Sequence, residues 1–367
     1  DGYSDNCSYT DYGDFSVLSE VFYTGHHAGF GKGVKGGSNM RYVRLNGTGL
    51  RVSALALGTG PFASHISDKV AEEILDTYVG EGGNFIDTAN VYGRWNPGNQ
   101  PLCERMIGKW LTQHHQRDKI VLATKGAADA IDKPHIKRLS EQEIRTDIED
   151  SLINLKTDYF DMYYLHQDDP SRPVGEILET MNALHKEGKI RYFGCSNWSG
   201  QRMREADAYA EEHGIRSFSA HEIMFNLARS NPEVVYNEIQ VCTDEDIWNY
   251  HKETQKPMVA YTSQAAGIFV RWHEPDFFEG EKHAFPRRFF WNDVTKARLQ
   301  RVDQLAKLTG RSSMQLALGF HYAQPFQVIP IIGPYNKSEL LNSLASCNYV
   351  MTAEELDFIL DGKDFWA

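Results

Sequence analysis

Cysteine is scarce and scattered, with only Cys7, Cys103, Cys195, Cys242 and Cys347 in 367 residues. Their odd number and the lack of a C-x-x-C pair argue against a zinc cage or a disulfide framework. Reduced thiols of this kind fit a cytoplasmic protein. Positive charge is in deficit, 38 basic against 50 acidic residues for a net −12, which disfavours a nucleic-acid backbone as the main partner. No apolar run approaches the roughly 20 residues that a membrane span requires. The first residues have neither a basic start nor an apolar core, so no signal peptide is legible. What remains is a soluble chain whose 41% hydrophobic residues suffice for a large core.

Residues 1–39 read as an N-terminal extension, rich in Gly, Ser, Tyr and Asp and without periodicity. Within it, 15–23 is apolar enough to dock on the main body or to join two subunits, so a homo-oligomer is one possibility. His26–His27 lack further ligands and do not make a metal site. The character changes at Met40. Asn46-Gly47-Thr48-Gly49, between two short apolar runs, signals a β-hairpin. Strand candidates then follow at 54–58, 84–87, 120–125, 159–166, 190–196, 218–224, 257–263 and 327–333. Helical segments separate them. The helix at 68–80 has Asp68 as its expected cap, and that at 140–155 opens on the Ser140–Glu143 capping box. Strands alternating with helices imply a parallel sheet, and eight such units over residues 40–367 imply a closed (β/α)₈ TIM barrel. The gap at 264–292 is read as a long aromatic loop after the seventh strand, carrying Trp272, Phe277, Phe278, Phe289, Phe290 and Trp291. Loops of this length serve as lids and binding loops; the alternative is packing over the barrel.

In such a barrel the chemistry sits at the carboxyl ends of the strands. Polar residues recur there: Asp87, Lys125, His166, Ser196 with Asn197, Glu222 and Tyr261. Such groups are costly to bury without purpose. Tyr92 follows Asp87 by five residues. A phenol with a pKa of about 10 is a poor acid, but a lysine beside it favours the phenolate. Lys125 is that lysine and Asp87 its anchor. A neutral His166 would donate a hydrogen bond to a carbonyl oxygen, and Tyr261 offers a ring for stacking. No serine or cysteine has an evident base partner, and no metal-ligand cluster is legible.

These stretches, GNFIDTANVYG at 83–93, VLATKG ending on Gly126, YFDMYYLHQ with His166, KIRYFGCSN and VIPIIG, resemble the aldo-keto reductases in register from about residue 40 to 360. The resemblance implies a barrel that binds NADP(H) or NAD(H), passes hydride to a carbonyl carbon and protonates the oxygen from a tyrosine, without a metal. The family's tetrad falls on Asp87, Tyr92, Lys125 and His166. Its carboxamide-binding pair falls on Ser196 and Asn197, and its stacking aromatic on Tyr261. Its pyrophosphate loop falls at Ser263–Gly267, including Ala266, with Thr262 just before it. Gly333, Tyr335, Asn336, Glu339 and Asn342 occupy the nucleotide-tail positions.

The departures from that pattern concern the cofactor. Glu222 stands where the family has Gln, and an ionised carboxylate cannot donate to an amide oxygen. Tyr335, Asn336 and Glu339 replace residues that hold a 2′-phosphate, and Lys337 is the only cation in 333–343, so NAD and NADP both stay open. The substrate expected is a small carbonyl compound or sugar, with Arg94, Trp95, Asn96 and Trp291 along the pocket. The alternative is a cofactor-binding regulatory subunit resembling the potassium-channel beta subunits.

Overall fold

The computed structural model describes residues 40–129, 136–235, 240–363 and 365–366. The extension read at 1–39 lies outside the described residues. Strands β1 (Tyr42–Arg44) and β2 (Arg51–Ser53) form the antiparallel hairpin, with Val43 opposite Val52. Gly47 takes a φ of +70°, a turn conformation that glycine adopts at little cost. The hairpin closes the amino-terminal end of a barrel. Leu45, Leu50 and Val52 join the interior cluster of Phe85, Val121, Met162 and Ile329, while the Gly49 N–H donates to the Tyr192 hydroxyl at 2.8 Å.

The barrel comprises β3 (Ala56–Gly58), β4 (Phe85–Asp87), β5 (Val121–Gly126), β6 (Phe160–Leu165), β7 (Ile190–Ser196), β8 (His221–Met224), β9 (Met258–Tyr261) and β10 (Val328–Ile332). All eight pairings are parallel and β10 closes onto β3. Around it run α1 (Asp68–Gly80), α2 (Leu102–His114), α3 (Glu141–Leu155), α4 (Val174–Lys186), α5 (Gly200–His213) and α6 (Glu245–Thr254). The strands are short because the apolar runs are buried on both faces and end where polar residues emerge at the mouth. A second, larger cluster lies between the sheet and the helices, including Ile74, Trp110, Ile148, Leu178 and Leu316.

Side-chain caps set the helix starts. Ser140 and Glu143 form the expected box on α3. Ser67, rather than Asp68, caps α1 by accepting from the Val70 N–H; Asp68 is the first helical residue, where its charge suits the helix dipole. The stretch 264–292 is not a plain loop. It folds into α7 (Ile268–Arg271), a short 3₁₀ turn at Glu281–His283 and α8 (Ala284–Phe290). Then come α9 (Asp293–Thr309), α10 (Ser313–Tyr322), α11 (Lys337–Leu344) and α12 (Ala353–Leu360). The last carries a Thr352–Glu355 capping box that the sequence reading passed over. No described helix is long and apolar enough to cross a membrane.

Candidate active site

Period-two alternation along β5 turns Lys125 into the barrel and Thr124 outward, where its hydroxyl donates to Glu104 of α2 at 2.7 Å. Asp87 ends β4 beside Ala123 of β5. Tyr92 sits in the loop that follows, its N–H on the Ala89 carbonyl at 3.1 Å. The next residue, Gly93, has a φ of +88°, and a Cβ there would lie 2.8 Å from that of Leu102. The loop is therefore clamped against α2.

Lys125 Nζ lies 2.5 Å from Asp87 Oδ1, 3.1 Å from the Thr88 carbonyl and 3.1 Å from Glu222 Oε1. All three ionisable side chains are nearly inaccessible, at 1–3% exposure. The same ammonium stands 5.4 Å from the centroid of the Tyr92 ring. The His166 ring meets Tyr92 edge-on, centroids 6.0 Å apart. The structure thus brings Asp87, Tyr92, Lys125 and His166 together and adds Glu222 to the lysine.

Burial would lower the pKa of Lys125, but the charges of Asp87 and Glu222 outweigh it and hold the ammonium protonated. Burial pushes the Tyr92 phenol up; Lys125 pulls it down, while Asp87 and Glu222 push the same way as burial. Burial, then the Lys125 charge, lowers His166 to about 3, so its imidazole is neutral. Glu222 differs from the ionised group read from sequence. Its burial and the neighbouring Asp87 charge hold it well above the carboxylate range, despite Lys125.

On the opposite side, Asn197 has a φ of +61°, a conformation that asparagine tolerates better than most residues. Its Nδ2 donates to the His166 carbonyl at 3.0 Å and to Ser196 Oγ at 3.1 Å. Its Oδ1 accepts from the Tyr261 hydroxyl at 2.6 Å and the Val241 N–H at 3.0 Å. The amide is fully occupied as a brace, which leaves Ser196 rather than Asn197 free to contact a ligand amide. Tyr261 keeps one ring partly exposed, tethered through its hydroxyl. After β9, Thr262, Ala265, Ala266 and Gly267 all have positive φ, between +48° and +77°. Such a run forms a backbone concavity of the kind that cradles anions, and strain of this sort clusters at ligand sites. Ser263 is buried there, its hydroxyl on the Ile331 carbonyl.

The nucleotide-tail positions divide. Gly333 is exposed just beyond β10 and Asn342 lies on the exposed face of α11. Asn336 caps α11 through the Glu339 N–H at 2.9 Å, and Glu339 folds back onto Asn336 Nδ2 and the Tyr335 N–H. Their polar atoms serve the helix start. The sequence reading missed a cation. Arg271, at the end of α7, has its Nε 2.9 Å from the position a Cβ would take on Gly267, and its charge lowers Tyr335 against the larger effect of burial. Sixty-four residues separate Arg271 from Tyr335, so no local pattern could pair them.

At the rim, Trp95 and Tyr335 meet through His65, a residue that no sequence motif singles out. His65 lies 6.4 Å from Trp95 and 6.5 Å from Tyr335, and Trp95 is 6.1 Å from Tyr92, all between ring centroids. Arg94 turns to its own loop, its Nε donating to Asn90 O and Oδ1. Trp291 packs on Phe277 and Phe278. Among the described residues, Glu274, Asp276 and His283 bring ligand-type atoms within 4.8 Å of one another. Lys282 Nζ already bridges both carboxylates there, at 2.7 and 3.2 Å.

A sequence model of the aldo/keto reductase family matches residues 54–361. The uncharacterized oxidoreductase YrpG of Bacillus subtilis is 31% identical over 88% of this chain and 95% of its own length. Norsolorinic acid reductase B of Dothistroma septosporum is 28% identical over 88% and 81%. An aryl-alcohol dehydrogenase of Pestalotiopsis microspora is 25% identical over 86% and 80%.

Proposed function

The chain belongs to the aldo/keto reductase family, its function is that of an oxidoreductase, and from that premise we propose that it interconverts a carbonyl compound and an alcohol using NADPH or NADH. The observation that carries the proposal is the convergence of Tyr92, Lys125, Asp87 and His166 at one barrel mouth.

The residues fit a nicotinamide dinucleotide. Thr88 Oγ1 and His166 Nδ1 are buried polar atoms without a hydrogen-bond partner among the described residues, and the left-handed residues 265–267, with Thr262 before them, suit a pyrophosphate. Ser196 would take the carboxamide, Tyr261 the ring, and Arg271 with Tyr335 the adenosine end, where a cation favours a 2′-phosphate. When bound, the reduced nicotinamide supplies the hydride to the carbonyl carbon. Tyr92 gives its hydroxyl proton to the carbonyl oxygen, and the Lys125 ammonium stabilises the phenolate left behind. Neutral His166 orients that oxygen by hydrogen bonding. Asp87 keeps Lys125 in place. The aromatic rim of His65, Trp95 and Tyr335 favours aryl aldehydes and ketones over sugars, in keeping with the name of the aryl-alcohol dehydrogenase among the relatives.

The test is a fluorescence titration with NADPH and NADH, followed by turnover on a panel of aryl, aliphatic and sugar carbonyls. Saturable binding and aryl carbonyl reduction are expected. Absence of cofactor binding would overturn the reading.

A further inference from the structure

Two carboxyl groups, Asp87 of β4 and Glu222 of β8, enclose one ammonium, Lys125 of β5, in a volume that water scarcely reaches. Each offers one oxygen to Nζ. Their other oxygens, Asp87 Oδ2 and Glu222 Oε2, receive no amide, amine or hydroxyl donor.

A buried carboxylate oxygen without a donor is costly, whereas the oxygen of a protonated carboxyl can itself donate. Counting charge leads to the same place. Two anions against one cation would leave a net negative charge in a low-dielectric pocket, where isolated charge is very costly. The other groups facing the trio offer no relief. Tyr92 and Tyr164 are phenols held protonated by burial, Thr88 is neutral, and His166 is an uncharged imidazole. No second cation approaches Glu222 among its described charge partners.

We propose that Asp87 and Glu222 share a single proton, so that Lys125 is gripped by one carboxylate and one carboxylic acid, with Glu222 the acid. Glu222 is then a positioning residue. It holds Nζ together with Asp87 and keeps the trio neutral. Loss of the shared proton would put a second negative charge beside Tyr92, cancelling the pull of Lys125 on the phenol. That tuning of Tyr92 rests on the carbonyl chemistry proposed above; the sharing of the proton does not.

The pairing is testable without turnover. Infrared spectra of the full chain at pH 8 should contain the carbonyl stretch of a buried protonated carboxyl group. The band should vanish in Glu222→Gln and also in Asp87→Asn, where the remaining carboxylate pairs with Lys125 alone. Recording both in a Glu104→Gln background removes a second fully buried acid that burial raises toward neutrality. Thermal unfolding gives an independent sign. An acid kept protonated by the fold loses stability as pH rises above its unfolded value. The midpoint of Glu222→Gln should therefore exceed that of the wild type by a margin that widens from pH 5 to pH 8. Absence of the infrared band in the wild type would overturn the proposal, as would a Glu222→Gln midpoint that falls below wild type increasingly with pH. Both measurements use the protein without cofactor, so a failed carbonyl assay would leave this result standing, and the reverse.

Discussion

Lys125 Nζ lies 5.4 Å from the centroid of the Tyr92 ring, although 33 residues separate the two in the chain. One comes from the end of a strand and the other from a glycine-clamped loop. Their approach sets a phenol beside an ammonium, the pairing on which the proposed proton transfer relies.

Replacing Tyr92 with Phe removes that proton and little else, since the ring still packs beside Lys125 and Trp95. Carbonyl turnover should fall by about 100-fold or more, in the range for loss of a general acid, while cofactor affinity changes little. Steady-state kinetics beside a fluorescence titration separates the two. Retained turnover would remove Tyr92 from its role.

Arg271 bears on the choice of nucleotide. A charge-assisted contact to a phosphate is worth roughly 1.5–3 kcal/mol. Arg271→Ala should thus weaken NADPH binding by about tenfold or more and NADH binding much less. Equal losses for both cofactors would place Arg271 away from the 2′-phosphate.

Burial lowers His251 and His321 to about 4, below their ordinary value of about 6.5. Groups kept neutral by the fold contribute stability above the unfolded pKa and lose it as pH falls through the folded one. Each shift corresponds to about 3 kcal/mol. Measured by calorimetry against a His251→Gln, His321→Gln variant, which cancels the opposite trend of the buried acids, the wild-type midpoint should fall progressively from about pH 6.5 down to pH 4. A flat profile over that range would contradict the burial.

Glu104 works on the other limb. Burial, opposed by hydrogen bonds from Thr124, Ser151 and Asn154, raises its carboxyl to about 7. Its contribution is complete below about pH 4.5 and is lost as pH rises through 7. Against wild type, Glu104→Gln should gain about 3 kcal/mol between pH 5 and pH 8. The pH dependence is the measured quantity, because the glutamine amide also meets Asn154 as a donor. No change with pH would mean that Glu104 is ionised in the fold.

The barrel was legible because its strands are short runs, mostly apolar, spaced by helical segments, and several stop at a polar residue, as Phe85–Ile86 stops at Asp87. Caps were legible where the hydroxyl and acid stand three apart, as in Ser140 and Glu143. The start of α1 shifted by one residue because Ser67 and Asp68 are both good caps, and only the backbone settles which accepts the N–H. The short helices of 264–292 escaped notice because none is long enough to display a period. In the site, Asp87, Tyr92 and Lys125 could be read from strand ends and spacing. Glu222 was visible as a substitution but not as a partner of Lys125, since that contact spans 97 residues. Its ionisation follows from a charge count that needs the neighbours in place. His65 and Arg271 depend on loop folding that no local pattern records.

Asn197 ties the His166 backbone, Ser196, the Val241 N–H and the Tyr261 ring to one amide. The side that would seat the cofactor and the side that moves the proton are thereby held in fixed register, much as two gears share an axle. His65, Trp95 and Tyr335 lie outside that linkage, on the rim. Mutational drift can therefore exchange the rim aromatics and alter which molecules are admitted, while the register between the proposed hydride and proton sites stays untouched.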